Sequence, residues 1–487
     1  MKDARTVVAN VIVLFVKQLA TWSFTGVLIL YLPRYLGDEG LGQITFADSF
    51  SGMFIWLLLL GVPTYLVKEV ARDRERISSY LFNSLVMRMP LAAVVFLIVF
   101  LSVNVLGYSS QTKTVVYIGA LITIVQSLNH VAGAVLQGIE NMRWQAVADV
   151  VGKAVVSGAG IFVLINGHGV VAYASVLLLG TIVSLAINLS FFLVRIKVRP
   201  ELDLRVWRIL LVGGFPFLLT SVISTVYLNV DVTMLRLMTS EAVVGWYGAA
   251  SQLFNTLNFA SLLLSVALLP ALSRLHKSAP SRMISASKRG FHFCIVLSLP
   301  MSVGTVLISD KIISALKYPE VFANSVPLLA ILSASLPISS TLVVLGTMMA
   351  AADKQQQWAK TTAAGVVLNI VLNLLLIPVT HNLYGNGGIG AALASFVAET
   401  AIMIVGARVL PWNVFDRSLL EVFVKSLAGA GLMGLAVWSV HSIDVLVIIF
   451  VGALFYGAFS LLVRSIGVED LALVRDVIMR RQLAVGN

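Results

Sequence analysis

Apolar segments long enough to cross a membrane recur along the whole chain, and this feature restricts the fold more than any other. Residues 91–106, 170–194 and 443–463 are examples. An α-helix rises about 1.5 Å per residue, so about 20 apolar residues cross the roughly 30 Å of hydrocarbon in a bilayer. Charged residues make up 12% of the chain, about half the share that is typical of soluble domains. The sequence therefore predicts an all-α membrane protein.

The apolar segments and the polar loops between them predict about fourteen transmembrane helices. We place these helices near residues 8–31, 44–67, 80–106, 114–137, 145–165, 170–194, 209–230, 243–271, 290–309, 322–352, 358–380, 387–408, 418–440 and 444–463.

Lysine and arginine are distributed unequally between the two sets of alternate loops. One set, which includes both termini and the helix ends next to its loops, holds 26 of the 34 residues, the other set holds five, and the remaining three are Lys17, Arg88 and Lys153. Cytoplasmic loops carry the excess of Lys and Arg in membrane proteins. The pattern predicts a multi-pass protein of the cell (inner) membrane with both termini in the cytoplasm. The net charge of +11 therefore follows from topology, and no nucleic-acid partner is expected.

Two polar segments indicate an internal repeat. Residues 34–47 lead into the second predicted helix, residues 236–250 lead into the eighth, and Arg, Glu, Gly and Ala recur in both in the same order. Helices 1–6 therefore correspond to helices 7–12 in a parallel repeat, an architecture that suits alternating access. The sequence predicts two pseudo-symmetric six-helix lobes plus two C-terminal helices. The predicted domains are residues 1–208, residues 209–410, and residues 411–487, which hold helices 13–14 and a cytoplasmic tail.

Several loop motifs resemble one family of transporters. These motifs are the Arg-Tyr-Leu-Gly entry within 34–47, the Gly-Val-Pro…Lys-Glu…Ala-Arg exit at 61–72, Val-Leu-Gln-Gly at 135–138, and Val-Asp-Val-Thr-Met-Leu…Gly-Trp-Tyr-Gly-Ala-Ala at 230–250. In order and spacing the chain resembles the polysaccharide and O-antigen (Wzx-type) flippases of the multidrug/oligosaccharidyl-lipid/polysaccharide exporter superfamily. The resemblance implies transfer of an undecaprenyl-diphosphate-linked oligosaccharide to the outer leaflet. It also implies contact with membrane lipids and, as partners, polysaccharide polymerase and chain-length machinery.

Three basic residues inside predicted helices are candidates for binding the diphosphate. Charges within a span are expensive, and a polyanion needs cations in its path. Lys17, Lys153 and Arg88 meet this requirement. The alternatives are that Lys17 and Arg88 extend toward the membrane interface, or that Lys153 pairs with Asp149 one helical turn earlier.

The predicted second lobe contributes one acid and two amides. Glu399 in helix 12 is a candidate for ion coupling, with a structural partnership to a buried lysine as the alternative. Asn369 and Asn373 lie one turn apart on helix 11, and their amides suit sugar hydroxyl groups. Hydrogen bonding between helices is the alternative explanation.

Enzymatic function is not expected. The histidines show no metal-ligand spacing, and no nucleophile motif or phosphate loop is present. We therefore predict no catalytic residue, no metal and no cofactor. Two transport alternatives stay open: a cation-coupled multidrug exporter of the same superfamily, which would need acidic cavity residues, and a lipid II flippase. A purely structural scaffold is disfavoured by the charges within the helices.

Overall fold

The computed structural model describes residues 2–196, 198–409, 414–440 and 443–463, with backbone only for 2–12, 266–267, 270, 277 and 280. Every regular element in these ranges is a helix, and none is a strand. The α-helices are α1 (Lys2–Gly52), α2 (Ile55–Leu59), α3 (Val62–Arg72), α4 (Ile77–Val105), α5 (Ser110–Gly138), α6 (Met142–Ile165), α7 (Gly169–Phe191), α8 (Leu204–Met238), α9 (Glu241–Ser278), α10 (Pro280–Leu307), α11 (Ser309–Ala315), α12 (Ser325–Ala351), α13 (Gln355–Tyr384), α14 (Gly388–Val409), α15 (Arg417–Ser439) and α16 (Val445–Leu462).

The backbone is interrupted at two places in the first 72 residues. One separates two predicted helices, and the other breaks a predicted helix. Gly37 has φ 67° inside α1, a left-handed conformation that glycine adopts without steric cost, and it separates the first two predicted spans. The predicted helix 44–67 is itself broken, because Leu60 and Gly61 are both left-handed, with φ 49° and 70°. The second span therefore consists of the end of α1, then α2, then the start of α3.

The fold is that of a multi-pass membrane protein. Among the described residues, twelve helical segments are long and apolar enough to cross a membrane, and the first of them is Val13–Leu59. That segment contains two predicted spans divided at Gly37, whereas α9, the eighth predicted span, is not among the twelve. The all-helical membrane fold is confirmed, and the number of crossing helices agrees approximately with the predicted fourteen.

The helices form two compact units. Among the described residues, the first unit contains those up to Ala249 together with Ile377–Gly388, and the second contains Ala250–Leu376 and those from Ile389 to residue 463. Each unit has an apolar core, around Leu66 and Val135 in the first and around Phe291 and Met348 in the second. The predicted lobes were defined by sequence similarity and not by contacts, and their boundaries stay a prediction.

Side-chain caps begin several of the helices. The backbone N–H groups of the first helical turn have no partner within the helix, and a short polar side chain can accept from them. Ser109 accepts from Thr112 N at the start of α5, and Asp203 accepts from Arg205 N at the start of α8. Asp416 caps α15 in the same way. These polar residues interrupt the apolar pattern, which is why the loops were recognisable in the sequence.

The two copies of the repeated segment cross each other within the first unit. We call this contact the α1/α9 crossing, formed by Asp38, Gly42 and Gln43 of α1 with Glu241 and Gly245 of α9. A Cβ atom on Gly42 would lie 1.9 Å from the Glu241 carbonyl oxygen, and one on Gly245 would lie 2.0 Å from the Asp38 carbonyl oxygen. Each glycine therefore allows the backbone of the other copy to approach, in a reciprocal arrangement that matches the repeat.

Glu241 is the centre of the polar contacts at this crossing. Its carboxylate accepts hydrogen bonds from Gln43 Nε2 at 2.7 Å, Thr112 Oγ1 at 2.6 Å and Arg236 Nη2 at 2.8 Å. Burial raises the pKa of Glu241, but these hydrogen bonds and the Arg236 charge outweigh burial and lower the pKa overall. The guanidinium of Arg236 also lies 4.4 Å from the centre of the Tyr108 ring. Because its pKa is lowered, Glu241 stays ionised, with the Arg236 cation beside it.

Candidate functional site

Lys17 and Asp149 form an ion pair between two helices of the first unit. Lys17 Nζ of α1 donates to Asp149 Oδ2 of α6 at 2.8 Å, and the two side chains are 19% and 33% exposed. Lys17 was predicted as a substrate-binding cation, with extension to the interface as the alternative. The structure gives Lys17 a carboxylate partner and leaves both groups partly accessible, so its role in substrate binding stays a prediction.

Lys153 lies one turn after Asp149 on α6, as the sequence indicated. The carboxylate whose charge acts on Lys153 is Asp48 of α1, and the Asp48 side chain is exposed. The alternative partner for Lys153 was Asp149, whose hydrogen-bonded partner is Lys17. Spacing within one helix favoured a local pair of Lys153 with Asp149. Packing of α1 against α6 instead pairs Asp149 with a lysine from the other helix, Lys17.

Arg88 lies inside the protein and does not reach the interface. Its side chain is 1% exposed, and Nη1 donates to the Ser84 carbonyl oxygen at 2.7 Å. Nε and Nη2 have no hydrogen-bond partner. The predicted alternative, extension toward the membrane interface, therefore does not describe this side chain. Since a buried cation without a carboxylate is costly, we expect Arg88 to lower the free energy of unfolding.

Replacement of Arg88 by methionine is expected to raise the thermal unfolding midpoint of the purified protein. Methionine fills a similar volume without a charge, and removing a desolvated charge in this way stabilises proteins by roughly 1–4 kcal/mol. The measurement is a melting curve in detergent. Arg88→Lys is the matched control, since it keeps the charge and should not raise the midpoint. A lower midpoint for Arg88→Met would show that Arg88 contributes to the fold.

His130 adds a titratable group that the sequence analysis did not select. It lies on α5, close enough to Arg88 and Asp149 for their charges to act on it. On the same helix Asn129 donates to the Thr181 carbonyl oxygen at 3.1 Å and accepts from Asn188 at 3.1 Å. A lone histidine in an apolar helix carries no spacing signal, so only the packing of α5 against its neighbours identifies it.

The predicted residues of helices 11 and 12 belong to the second unit and form contacts of their own. Ser339 of α12 donates to Glu399 of α14. Asn373 Nδ2 donates to Asn369 Oδ1 at 3.0 Å along α13, and these two amides are 0% and 2% exposed. Glu399 thus has a hydroxyl partner. The two asparagines are covered in this structure, and their proposed role in sugar binding would require them to become accessible.

A deep apolar groove lies within the second unit. Its volume is about 910 Å³, and it is lined by residues of α9, α10, α11, α15 and α16. Its lining residues run along α10 from Ala286 to Thr305, which at about 1.5 Å per residue is roughly 28 Å. This length approaches the thickness of the hydrocarbon layer. A hydrocarbon chain therefore fits the groove in both length and polarity, with Arg289 available near one end for an anionic group.

The chemistry available in the first unit is ionic. Lys17, Lys153, Asp48 and Asp149 place two cations and two carboxylates on α1 and α6, and all four are at least partly accessible. Such an arrangement can bind anionic groups by exchanging partners, which suits a transporter. Within the described ranges, no group of three or more His, Cys, Asp or Glu side chains is placed to hold a metal ion.

Comparison with protein families gives two matches. The model described as "Polysaccharide biosynthesis protein" matches residues 7–276, and the MatE model matches residues 216–375. Among individual proteins, a probable low-salt glycan biosynthesis flippase of Haloferax volcanii, Agl15, is 24% identical over 383 residues, which cover 77% of this chain and 78% of that protein. A probable flippase from the same organism, AglR, is 26% identical over 243 residues, or 47% of this chain and 49% of that protein.

Solved structures share the fold at low sequence identity. The lipid II flippase MurJ in an inward closed conformation has a TM-score of 0.77 and 16% identity, and the match covers 94% of this chain and 99% of that one. A multidrug resistance MATE family transporter of the MOP superfamily, in an inward-facing conformation, has a TM-score of 0.64 and 16% identity, covering 83% and 95% of the two chains. These similarities establish a common fold.

Proposed function

Because this chain belongs to the polysaccharide biosynthesis protein family, we propose that it is a flippase that moves a lipid-diphosphate-linked oligosaccharide across the cytoplasmic membrane by alternating access. The observation that carries the proposal is the pair of accessible lysines, Lys17 and Lys153, within membrane helices of the first unit. A diphosphate carries several negative charges and cannot enter hydrocarbon alone. Cations within the spans would lower that cost, and lysine provides them as compact point charges.

The apolar part of such a substrate also has a plausible location. The groove of the second unit is lined mainly by apolar side chains and is about 910 Å³ in volume, which suits a hydrocarbon chain of the substrate. The names of the Haloferax relatives, which describe flippases of glycan biosynthesis, support the same substrate class. The distribution of Lys and Arg supports a location in the inner membrane. It also supports an orientation with both termini in the cytoplasm. Polysaccharide polymerase and chain-length machinery would then act on the transported product.

Deletion of the gene in its host tests this proposal. We expect a lipid-diphosphate oligosaccharide to accumulate on the cytoplasmic side of the membrane, because its synthesis would continue without export. Mass spectrometry of extracted lipids measures the accumulation and identifies the sugar, and a plasmid copy of the intact gene is the control that should restore the normal level. Normal lipid levels after deletion would contradict the flippase proposal.

Two related transport functions give different results in the same experiment. The MatE match over residues 216–375 and the acid Glu399 favour a cation-coupled multidrug exporter as the second candidate. In that case deletion would leave lipid-linked sugars unchanged and would increase sensitivity to cationic drugs, and Glu399→Gln would reproduce that sensitivity. A lipid II flippase would instead accumulate the peptidoglycan precursor, which its mass distinguishes.

A further inference from the structure

The lysine that we propose for diphosphate binding is already bound to a carboxylate. Lys17 Nζ lies 2.8 Å from Asp149 Oδ2, and Asp48 provides a second carboxylate whose charge acts on Lys153. We infer that Asp149 is a specificity-determining residue: it holds Lys17 when no substrate is present and yields it only to a headgroup of higher charge. This inference rests on the proposed function and adds a basis for substrate selection to it.

The exposure of the pair allows such an exchange. Lys17 and Asp149 are 19% and 33% exposed, so an anion can reach the lysine while water receives the displaced carboxylate. Ion pairs that remain partly solvated contribute little net stability, because Coulomb attraction is screened and side-chain entropy is lost. Breaking the pair is therefore inexpensive for an incoming ligand that restores a stronger interaction with Lys17.

A basic side chain in this unit does not need a carboxylate partner for the fold to form. The partner that Lys17 has, Asp149, therefore calls for a specific explanation. Arg88 is 1% exposed and has two nitrogen atoms without a partner, so the fold tolerates a more deeply buried cation with no carboxylate. Lys17 is more accessible than Arg88 and is nevertheless paired. The carboxylate partner therefore belongs to the more accessible of these two cations, and Arg88, which is buried, has no carboxylate among its hydrogen-bond partners.

The consequence is discrimination by charge. A membrane contains an excess of phospholipids whose phosphodiester carries one negative charge. Such a group would replace the Asp149 carboxylate with an equal charge and would gain little. A diphosphate carries more charge and more acceptor oxygens, so its gain on displacing Asp149 is larger. Asp149 would thus keep abundant singly charged lipids from occupying Lys17.

Binding measurements on the purified full-length protein in detergent test this role. Farnesyl diphosphate is the multiply charged probe, dihexanoyl phosphatidylglycerol the singly charged one, and farnesol the uncharged reference. Asp149→Asn is expected to tighten binding of the singly charged lipid by about fivefold, the upper range for a partly exposed ion pair, and to tighten farnesyl diphosphate binding less. Lys17→Ala is expected to weaken farnesyl diphosphate binding by at least the same factor.

A structural ion pair would behave differently, because loss of either partner would then act in the same direction. Glu69→Gln is the matched control. Glu69 of α3 pairs with Arg72 at 3.2 Å and lies outside the ionic group on α1 and α6, so its replacement should change neither affinity. If Asp149→Asn does not fold, Asp48→Asn tests the same idea through Lys153 and should also reduce discrimination between the two lipids.

The outcomes separate this inference from the proposed function. If the wild-type protein binds farnesyl diphosphate no better than farnesol, the proposed function is wrong. A second outcome is that the wild-type protein binds farnesyl diphosphate, Lys17→Ala weakens that binding, and Asp149→Asn weakens the binding of both charged lipids equally. In that case the flippase proposal stands and the role assigned to Asp149 is overturned.

Discussion

Transport is expected to stop when Lys17 and Lys153 are both replaced by alanine, while the protein remains in the membrane at its normal level. Hydrogen bonds to a charged group contribute roughly 1.5–3 kcal/mol each, so each lysine should change substrate binding by about tenfold or more. The two single variants should each lose most transport. The measurement is accumulation of lipid-linked oligosaccharide in a deletion strain carrying each variant, with the amount of protein in the membrane fraction determined by immunoblot.

The control for this experiment is Lys68→Ala. Lys68 lies on α3 and is exposed, so it shares the residue type with Lys17 and Lys153 but lies outside the ionic group on α1 and α6. Its replacement should leave transport unchanged. Full transport by the double alanine variant would remove both lysines from the substrate path, and Arg88 would then be the last of the three predicted basic residues to test.

Adding a single methyl group at the α1/α9 crossing is expected to destabilise the protein strongly. The Cβ atom of Gly42→Ala or Gly245→Ala would overlap a backbone carbonyl oxygen at about 2 Å, and no change of rotamer relieves a Cβ contact. Overpacking of this kind typically costs about 1–3 kcal/mol. The loss of stability in the double variant should differ from the sum of the two single losses, because both glycines belong to one contact. Melting curves in detergent and the transport measurement above would both report the change.

Gly158→Ala is the matched control for the crossing. Gly158 lies within α6 of the same unit, and a Cβ atom there would meet nothing within 4 Å. Alanine favours a helix over glycine by roughly 0.5–1 kcal/mol, so this variant should melt at the wild-type temperature or above it. Equal melting temperatures for Gly42→Ala and Gly158→Ala would show that α1 and α9 do not approach as closely as described.

The fold was largely predictable because the bilayer demands long apolar helices, and the loops between them keep polar caps and turn residues. The breaks in the second span were not predictable to the same degree. Leu60 adopts a left-handed conformation that is rare outside glycine, and no local pattern indicates it. The resemblance to polysaccharide flippases, which rested on short motifs in the loops, is confirmed by the family match.

The sequence singled out the charged residues of the candidate site but not the groups they contact, and their role in substrate binding stays a prediction. Charges inside spans identified Lys17, Lys153 and Arg88, because hydrocarbon makes such residues rare. The partner of Lys17 lies 132 residues away on α6, and sequence spacing contains no information about which helices pack together. The burial of Arg88 could not be predicted for the same reason, because distance from the end of a helix does not say which neighbours cover a side chain.

The α1/α9 crossing also bears on how the protein is made. Glu241 follows Gln43 by 198 residues and Thr112 by 129 residues. At about 5–20 residues per second, ribosomes would need roughly 10–40 s to add the acceptor that Gln43 requires. During that interval Gln43 lacks the carboxylate that accepts its hydrogen bond. Translational pauses or slow insertion within the second repeat should therefore prolong the life of an incomplete first unit and expose it to membrane proteases.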